Sequence, residues 1–160
     1  MKTLQWVERR AHFIDIENLS ESAILDEELV REVKREYFEV IKPGSRDIFV
    51  IGVSHFNLAA ATFGWGSGIA QYVVQSGQDG ADLALMRAVC DPLIKDRFSE
   101  VCIASGDHLF AEVGELLSQY GVMVKFAARQ DCVARRIFSN SYECILLPSL
   151  NQVEEYTLVS

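Results

Sequence analysis

Six runs of apolar and β-branched residues punctuate the chain, at about 11–16, 47–53, 70–75, 100–104, 121–127 and 143–147. Most are nearly continuous in apolar residues instead of alternating, which is the pattern of strands covered on both faces. Helical periodicity fills the gaps. A long helix is predicted over about 24–41, with Leu25, Leu29, Val33, Tyr37, Val40 and Ile41 on one stripe and Pro43-Gly44 to stop it. A second, about 80–95, carries Leu83, Leu85, Met86, Val89 and Cys90. A third, about 108–120, carries Leu109, Phe110, Val113, Leu116 and Leu117, with Gly121 at its end. A short fourth, about 131–140, contains Val133, Ile137 and Phe138. Strands alternating with helices predict an α/β fold: a doubly wound, mostly parallel sheet of five or six strands with helices on both faces.

One domain is expected over 1–147. A polar tail, 148–160, is left to pack back on the domain or to engage a partner. The stretch 54–69 fits neither period. Its Ser54-His55-Phe56-Asn57 start leads through an Ala-rich turn to Phe63-Gly64-Trp65-Gly66-Ser67-Gly68, which reads as a flexible loop with an aromatic tip. Trp65 is expected either to cap the core from that loop or to meet a ligand.

Composition narrows the function. The 160 residues carry 15 Lys and Arg against 23 Asp and Glu, a net charge of −8. Such a surface does not hold nucleic acid by bulk electrostatics, although a bound metal offsets acidic charge locally. The four cysteines, Cys90, Cys102, Cys132 and Cys144, form no close pairs and are expected to be buried thiols. No apolar run reaches the ~18 residues of a membrane-spanning helix. The start of the chain lacks an apolar leader core, so a cytoplasmic location is the expectation.

The chemistry concentrates in three acidic segments: Phe13-Ile14-Asp15-Ile16-Glu17-Asn18, Asp79-Gly80-Ala81-Asp82 and Ser105-Gly106-Asp107. Asp15 and Asp107 follow apolar strands, and Asp82 lies in the first turn of a helix after another. In an open α/β sheet the strand C-termini face one crevice, where ligands bind. Carboxylates gathered there repel unless a cation holds them, and hard divalent ions take oxygen ligands. Asp15, Asp82 and Asp107 are therefore the expected ligands of Mg²⁺ or Mn²⁺, in metal-assisted hydrolysis of a phosphate ester. Asn18 is expected to orient Asp15 or to cap the following segment, and Asp79 to cap the helix or stand in an outer shell. Ser105 and the free amides of the helix start are expected to receive a phosphate. His108 is expected to be a solvated helix-start residue.

In order and spacing these segments resemble the NYN domain, a branch of the PIN-like nucleases, over about residues 11–147. Ser76-Gly77-Gln78-Asp79-Gly80-Ala81-Asp82-Leu83 is the most family-like stretch. The resemblance implies a metal-dependent ribonuclease, with Asp15, Asp82 and Asp107 catalytic and Asn18 and Ser105 supporting. Many relatives carry a second aspartate two residues after the one matched by Asp107. Here that residue is Leu109, expected to pack on the sheet, so a fourth carboxylate is missing unless Asp79 replaces it.

A ribonuclease needs a substrate path beside the acids. Arg129, Arg135 and Arg136, after the fifth strand, are candidates for the phosphate backbone of single-stranded RNA. His55, Asn57 and Trp65, after the second, are candidates for substrate contact, with Trp65 to stack a base. With an acidic surface, binding is expected to need metal, a homo-oligomer or a partner protein. The competing function is a catalytically weak RNA- or nucleotide-binding module of the same fold. An aspartyl-phosphate hydrolase ranks lower, because Glu17 stands where a second aspartate belongs. A dinucleotide enzyme ranks lower still, because no Gly-x-Gly-x-x-Gly follows the first strand.

Overall fold

The computed structural model describes residues 9–68, 70–132, 137 and 143–150. Six strands run β1 (Arg10–Asp15), β2 (Ile48–Val53), β3 (Ala70–Val74), β4 (Glu100–Ala104), β5 (Met123–Arg129) and β6 (Glu143–Leu147). All neighbours pair in parallel, in the order β3-β2-β1-β4-β5-β6. The helices are α1 (Ile16–Leu19), α2 (Glu27–Ile41), α3 (Leu58–Trp65), α4 (Gly80–Val89), α5 (Pro92–Arg97) and α6 (Leu109–Gln119). This is the doubly wound α/β sheet that the apolar runs predict, with six strands.

Side-chain alternation splits the core into two layers. On one face Ile14, Phe49, Ile51 and Val53 pack with Val30, Val33 and Tyr37 of α2 and Trp65 of α3. On the other, Ala11, Phe13, Val50 and Ile103 pack with Leu85 and Val89 of α4 and Phe110, Val113 and Leu117 of α6. Asp15 shares the parity of Phe13, so it emerges on the α4–α6 side. The chain reverses its direction of winding between β1 and β4, and there the C-terminal ends open a crevice.

Several boundaries move for local reasons. Asp26 caps α2 by accepting from the Leu29 amide, so residues 24–26 precede the helix. Val40 is exposed instead of sharing the buried stripe. The predicted helix over 80–95 breaks at Cys90-Asp91, where Asp91 caps α5 and Pro92 occupies its first turn. β5 starts at Met123, two residues later than expected. The stretch 54–69 is no flexible loop: a 3₁₀ turn, His55–Asn57, runs straight into α3. Gly64 lies inside that helix because a Cβ would meet the Val30 Cβ at 2.5 Å. Of the predicted helix 131–140, residues 133–136 and 138–140 lie outside the described residues.

Cys102 is buried, and burial pushes its thiol up to about 11. Cys90 is exposed and Cys144 half-buried, contrary to expectation. The Cys132 side chain lies outside the described residues. The start of the tail packs back: the Pro148 carbonyl accepts from Arg129, and Leu150 lies against the α2 layer. Residues 151–160 lie outside the description. Among the described residues no helix is long and apolar enough to cross a membrane.

Away from the crevice, near the strand N-termini, a buried polar chain ties α2 to the sheet. His12 Nδ1 is 2.7 Å from the Tyr37 hydroxyl, and His12 Nε2 is 2.7 Å from Asp47 Oδ2. Asp47 also accepts from the Arg10 and Gly44 amides.

Candidate active site

Asp15 ends β1 with a dual duty. Its Oδ1 accepts from the Asn18 amide, capping α1, and its Oδ2 accepts from the Ser105 hydroxyl at 3.0 Å. Ser105 is fully buried and Asp15 nearly so. Those two bonds fix both carboxyl oxygens. The Asn18 side chain accepts from the Gly106 amide at 3.1 Å, locking the turn after β1 to the turn after β4. The C-terminal ends of β1 and β4 are thus stitched together by Asn18 and Ser105.

α4 brings Asp82 to the same point. Asp82 is the third residue of the helix, and its carboxyl lies close enough to those of Asp15 and Asp107 to be coupled to both. Asp82 is the acid that feels both of the others, while Asp107 stands outside the residues that line the cleft. Burial holds the Asp15 carboxyl well above the usual carboxylate range, and the hydrogen bond and charge of Asp82 add to it. The Asn18 amide and Ser105 hydroxyl oppose that rise without cancelling it. Asp82 is raised too, mainly by burial, while the bond to Asp15 pulls it down and Asp107 and Asp79 push it up. Two carboxyls side by side cannot both carry charge cheaply, so ionising either one is held back by burial and by its neighbour.

Asp15, Glu17, Asn18, Ser54, Asp79 and Asp82 line the crevice with the backbone of Gly77, Gly80 and Ala81, around a cleft of about 230 Å³. No Lys or Arg lines it among the described residues. Asp79 occupies the helix N-cap position but makes no side-chain cap bond. Its backbone is left-handed, φ 56°, and its carboxylate is exposed at the crevice. It therefore acts on Asp82 through charge, and the capping expectation fails. Asp107 spends Oδ1 on the Leu109 amide at 3.0 Å, with the exposed His108 ring beside it at 3.1 Å.

Glu17 was not among the candidates. Its Oε1 accepts from the Asn57 carboxamide at 2.6 Å and from the Ser54 amide, which turns the side chain into the crevice. The signal was the spacing Asp15-Ile16-Glu17, with Ile16 buried between two acids at the start of one short helix. Among the described residues no group of three or more His, Cys, Asp or Glu side chains is arranged to hold an ion by itself.

The expected substrate contacts need correction. Trp65 is buried among Tyr37, Phe38 and Phe49 with the rings tilted or edge-on, so it packs in the core and meets no base. Arg129 is fully buried. It pairs with Glu36 at 2.8 Å and donates to the Leu19 and Pro148 carbonyls, so it clamps β5, α1, α2 and the tail instead of touching a phosphate. Asn57 is buried and holds Glu17, and is not free for a base. Only His55 of that group is exposed at the crevice edge, bonded to the Ser76 hydroxyl at 2.8 Å. Arg135 and Arg136 lie outside the described residues. The amides of Gly106, Asp107 and Leu109 are taken by Asn18, Ser105 and Asp107 side chains, so they are not open to a phosphate. Leu109 is half-buried and belongs to neither core layer, and Leu116 is exposed. The expectation that Leu109 packs on the sheet is not met. Sequence comparison matches the chain to no family model and to no curated protein.

Proposed function

We propose that the chain is a metal-dependent endoribonuclease that hydrolyses RNA phosphodiester bonds, with Asp15, Asp82 and Asp107 at its centre. The closeness of the buried Asp15 carboxyl to Asp82 carries the reading. Folding that forces two acids together, one of them nearly fully buried, is unfavourable on its own, and a cation relieves it. The same three acids are those that the likeness to NYN domains singles out.

Oxygen-only donors fit a hard divalent ion, Mg²⁺ or Mn²⁺. Mg²⁺ is commonly held by one or two carboxylates, with water and substrate phosphate in its remaining positions. That demand matches two neighbouring carboxyls better than it would match a closed cage. Asp15 and Asp82 would hold the ion, and Asp107 would act on Asp82 through charge. When bound, the ion supplies neutralisation of the scissile phosphate and a more acidic water. Ser105 and the Asn18 amide keep both Asp15 oxygens in place, so the ligand needs little rearrangement to bind. Glu17 and Asp79 add negative charge at the mouth, which disfavours phosphate in the absence of a cation.

The last point also separates the competing reading. A binding module working without metal would face an RNA phosphate with an acidic crevice that no described Lys or Arg lines. The test is cleavage of a single-stranded RNA in Mn²⁺ or Mg²⁺. Cleavage should vanish in excess EDTA and in Asp82→Asn with the fold retained. Metal-dependent RNA binding without cleavage would favour the binding module. Cleavage that persists in excess EDTA would overturn the metal-dependent mechanism.

A further inference from the structure

Beside the crevice the protein exposes two large apolar side chains that no fold requirement explains. Phe56 is 68% exposed and Ile24 is 77% exposed. Asn57 holds them at one corner. Its Oδ1 accepts from the Leu25 amide and its Nδ2 donates to the Ala23 carbonyl, so both neighbours of Ile24 are tied to the residue that follows Phe56. The same Nδ2 donates to Glu17, which lines the crevice, and Ser54 lines it two residues before Phe56. A buried carboxamide thus connects an apolar lip directly to the acidic wall.

We infer that Phe56 stacks an unpaired nucleobase of the substrate strand, with Ile24 flanking it on the lip. The inference rests on the ribonuclease reading and names how that site gains affinity. The bound ion neutralises the scissile phosphate, but the acidic lining gives the flanking backbone no cationic partner among the described residues, so contacts to the bases are the source of affinity that complements the ion. Aromatic stacking is that source, because every base has a π-face and stacking tolerates any sequence. It also selects single strands, since a base inside a duplex presents no free face. A 3₁₀ turn anchored by Asn57 fixes the backbone that carries the ring before RNA arrives, which lowers the ordering cost of binding.

Phe63 supplies the control. It is 71% exposed, as open as Phe56, but lies seven residues further on within α3, about 10 Å from Phe56 along the axis and away from the strand C-termini. The experiment is steady-state cleavage of a single-stranded RNA in Mn²⁺. Phe56→Ala should raise KM roughly 10- to 100-fold. Phe56→Trp should restore it, and Phe63→Ala should behave as wild type. On an oligonucleotide with abasic residues on both sides of the scissile bond, the Phe56→Ala penalty should disappear. An unchanged KM in Phe56→Ala, or an equal penalty on the abasic strand, overturns the stacking role while the nuclease reading stands. A wild-type protein that cleaves no RNA overturns the nuclease reading and the stacking role together. If Phe56→Ala instead keeps its KM and converts a dimer to monomer in sedimentation, the lip is an interface between copies and the stacking role falls.

Discussion

Gly52 is the strand partner of Asp15, and the start of α4 fills the space its side chain would need. A Cβ on Gly52 would lie 2.9 Å from the Ala81 carbonyl oxygen and 2.9 Å from Leu85 Cβ. Ala81 directly precedes Asp82. The missing methyl is therefore what allows Asp82 to reach Asp15 across the crevice. Gly52→Ala should push α4 outward, at a stability cost of ~1–3 kcal/mol typical of overpacking. Mn²⁺ affinity and cleavage should fall further than that loss explains, while circular dichroism stays native. Wild-type Mn²⁺ binding by Gly52→Ala would show that the close approach is not needed.

The Asp15 carboxyl should destabilise the fold at neutral pH. Its folded pKa lies above its unfolded value, because of burial and then Asp82. The penalty is full at pH above the folded value and disappears as pH falls below the ordinary carboxylate range near 4. Asp15→Asn keeps the shape and an oxygen for the Asn18 amide, and it removes the ionisable group. The variant should therefore unfold at higher urea than wild type at pH 8, and the two should converge near pH 4. It should also lose metal-dependent cleavage. An Asp15→Asn midpoint at or below wild type at pH 8 would show that the paired acids carry no strain.

The sheet was legible because buried parallel strands are written as continuous apolar runs, and the acids because strand ends mark the crevice. What was misjudged depended on partners far away in sequence. Arg129 looks like a free cation after a strand, and nothing nearby announces Glu36, 93 positions earlier. Gly64, Gly66 and Gly68 around Trp65 look like a loop, yet Gly64 is needed inside a helix because Val30 of α2 packs against it. Asn57 and Glu17 became visible as a pair only once β2 lay beside β1. Asp79 fits the composition of a cap, but a left-handed backbone turns its carboxylate to the crevice.

The reassignment of Arg129 makes a separable claim. Breaking a fully buried ion pair typically costs ~3–5 kcal/mol, and here the cost is discounted because the Glu36 carboxylate left behind is partly exposed to water. Here Arg129→Ala also frees the Leu19 and Pro148 carbonyls. The expected result is a large drop in the urea midpoint. Arg129→Ala with Glu36→Gln should recover part of the loss, because no charge is then left unpaired. A variant that stays as stable as wild type but raises KM for RNA would return Arg129 to the substrate path.

His12 gives the fold an acid-sensitive element with the opposite sign to Asp15. Burial lowers its pKa below the usual 6.5, partly offset by the bond and charge of Asp47. Arg10 lowers it further and Glu100 raises it. In the neutral ring, Nε2–H donates to Asp47 and Nδ1 accepts from the Tyr37 hydroxyl. A depressed folded value means that the unfolded chain binds more protons, so the stability His12 contributes is complete above pH 6.5 and is lost as pH falls through the window below. Asp47, also lowered, continues the loss below pH 3.8. The Asp15→Asn background removes the opposing effect and should expose a falling urea midpoint between pH 7 and 5. Tyr37→Phe removes the donor that favours the neutral ring, so the His12 pKa should rise, as seen by NMR titration of the ring. It should also cost ~1–3 kcal/mol, since Nδ1 is left buried without a partner. An unchanged His12 titration in Tyr37→Phe would show that the hydroxyl does not set the protonation state of the ring.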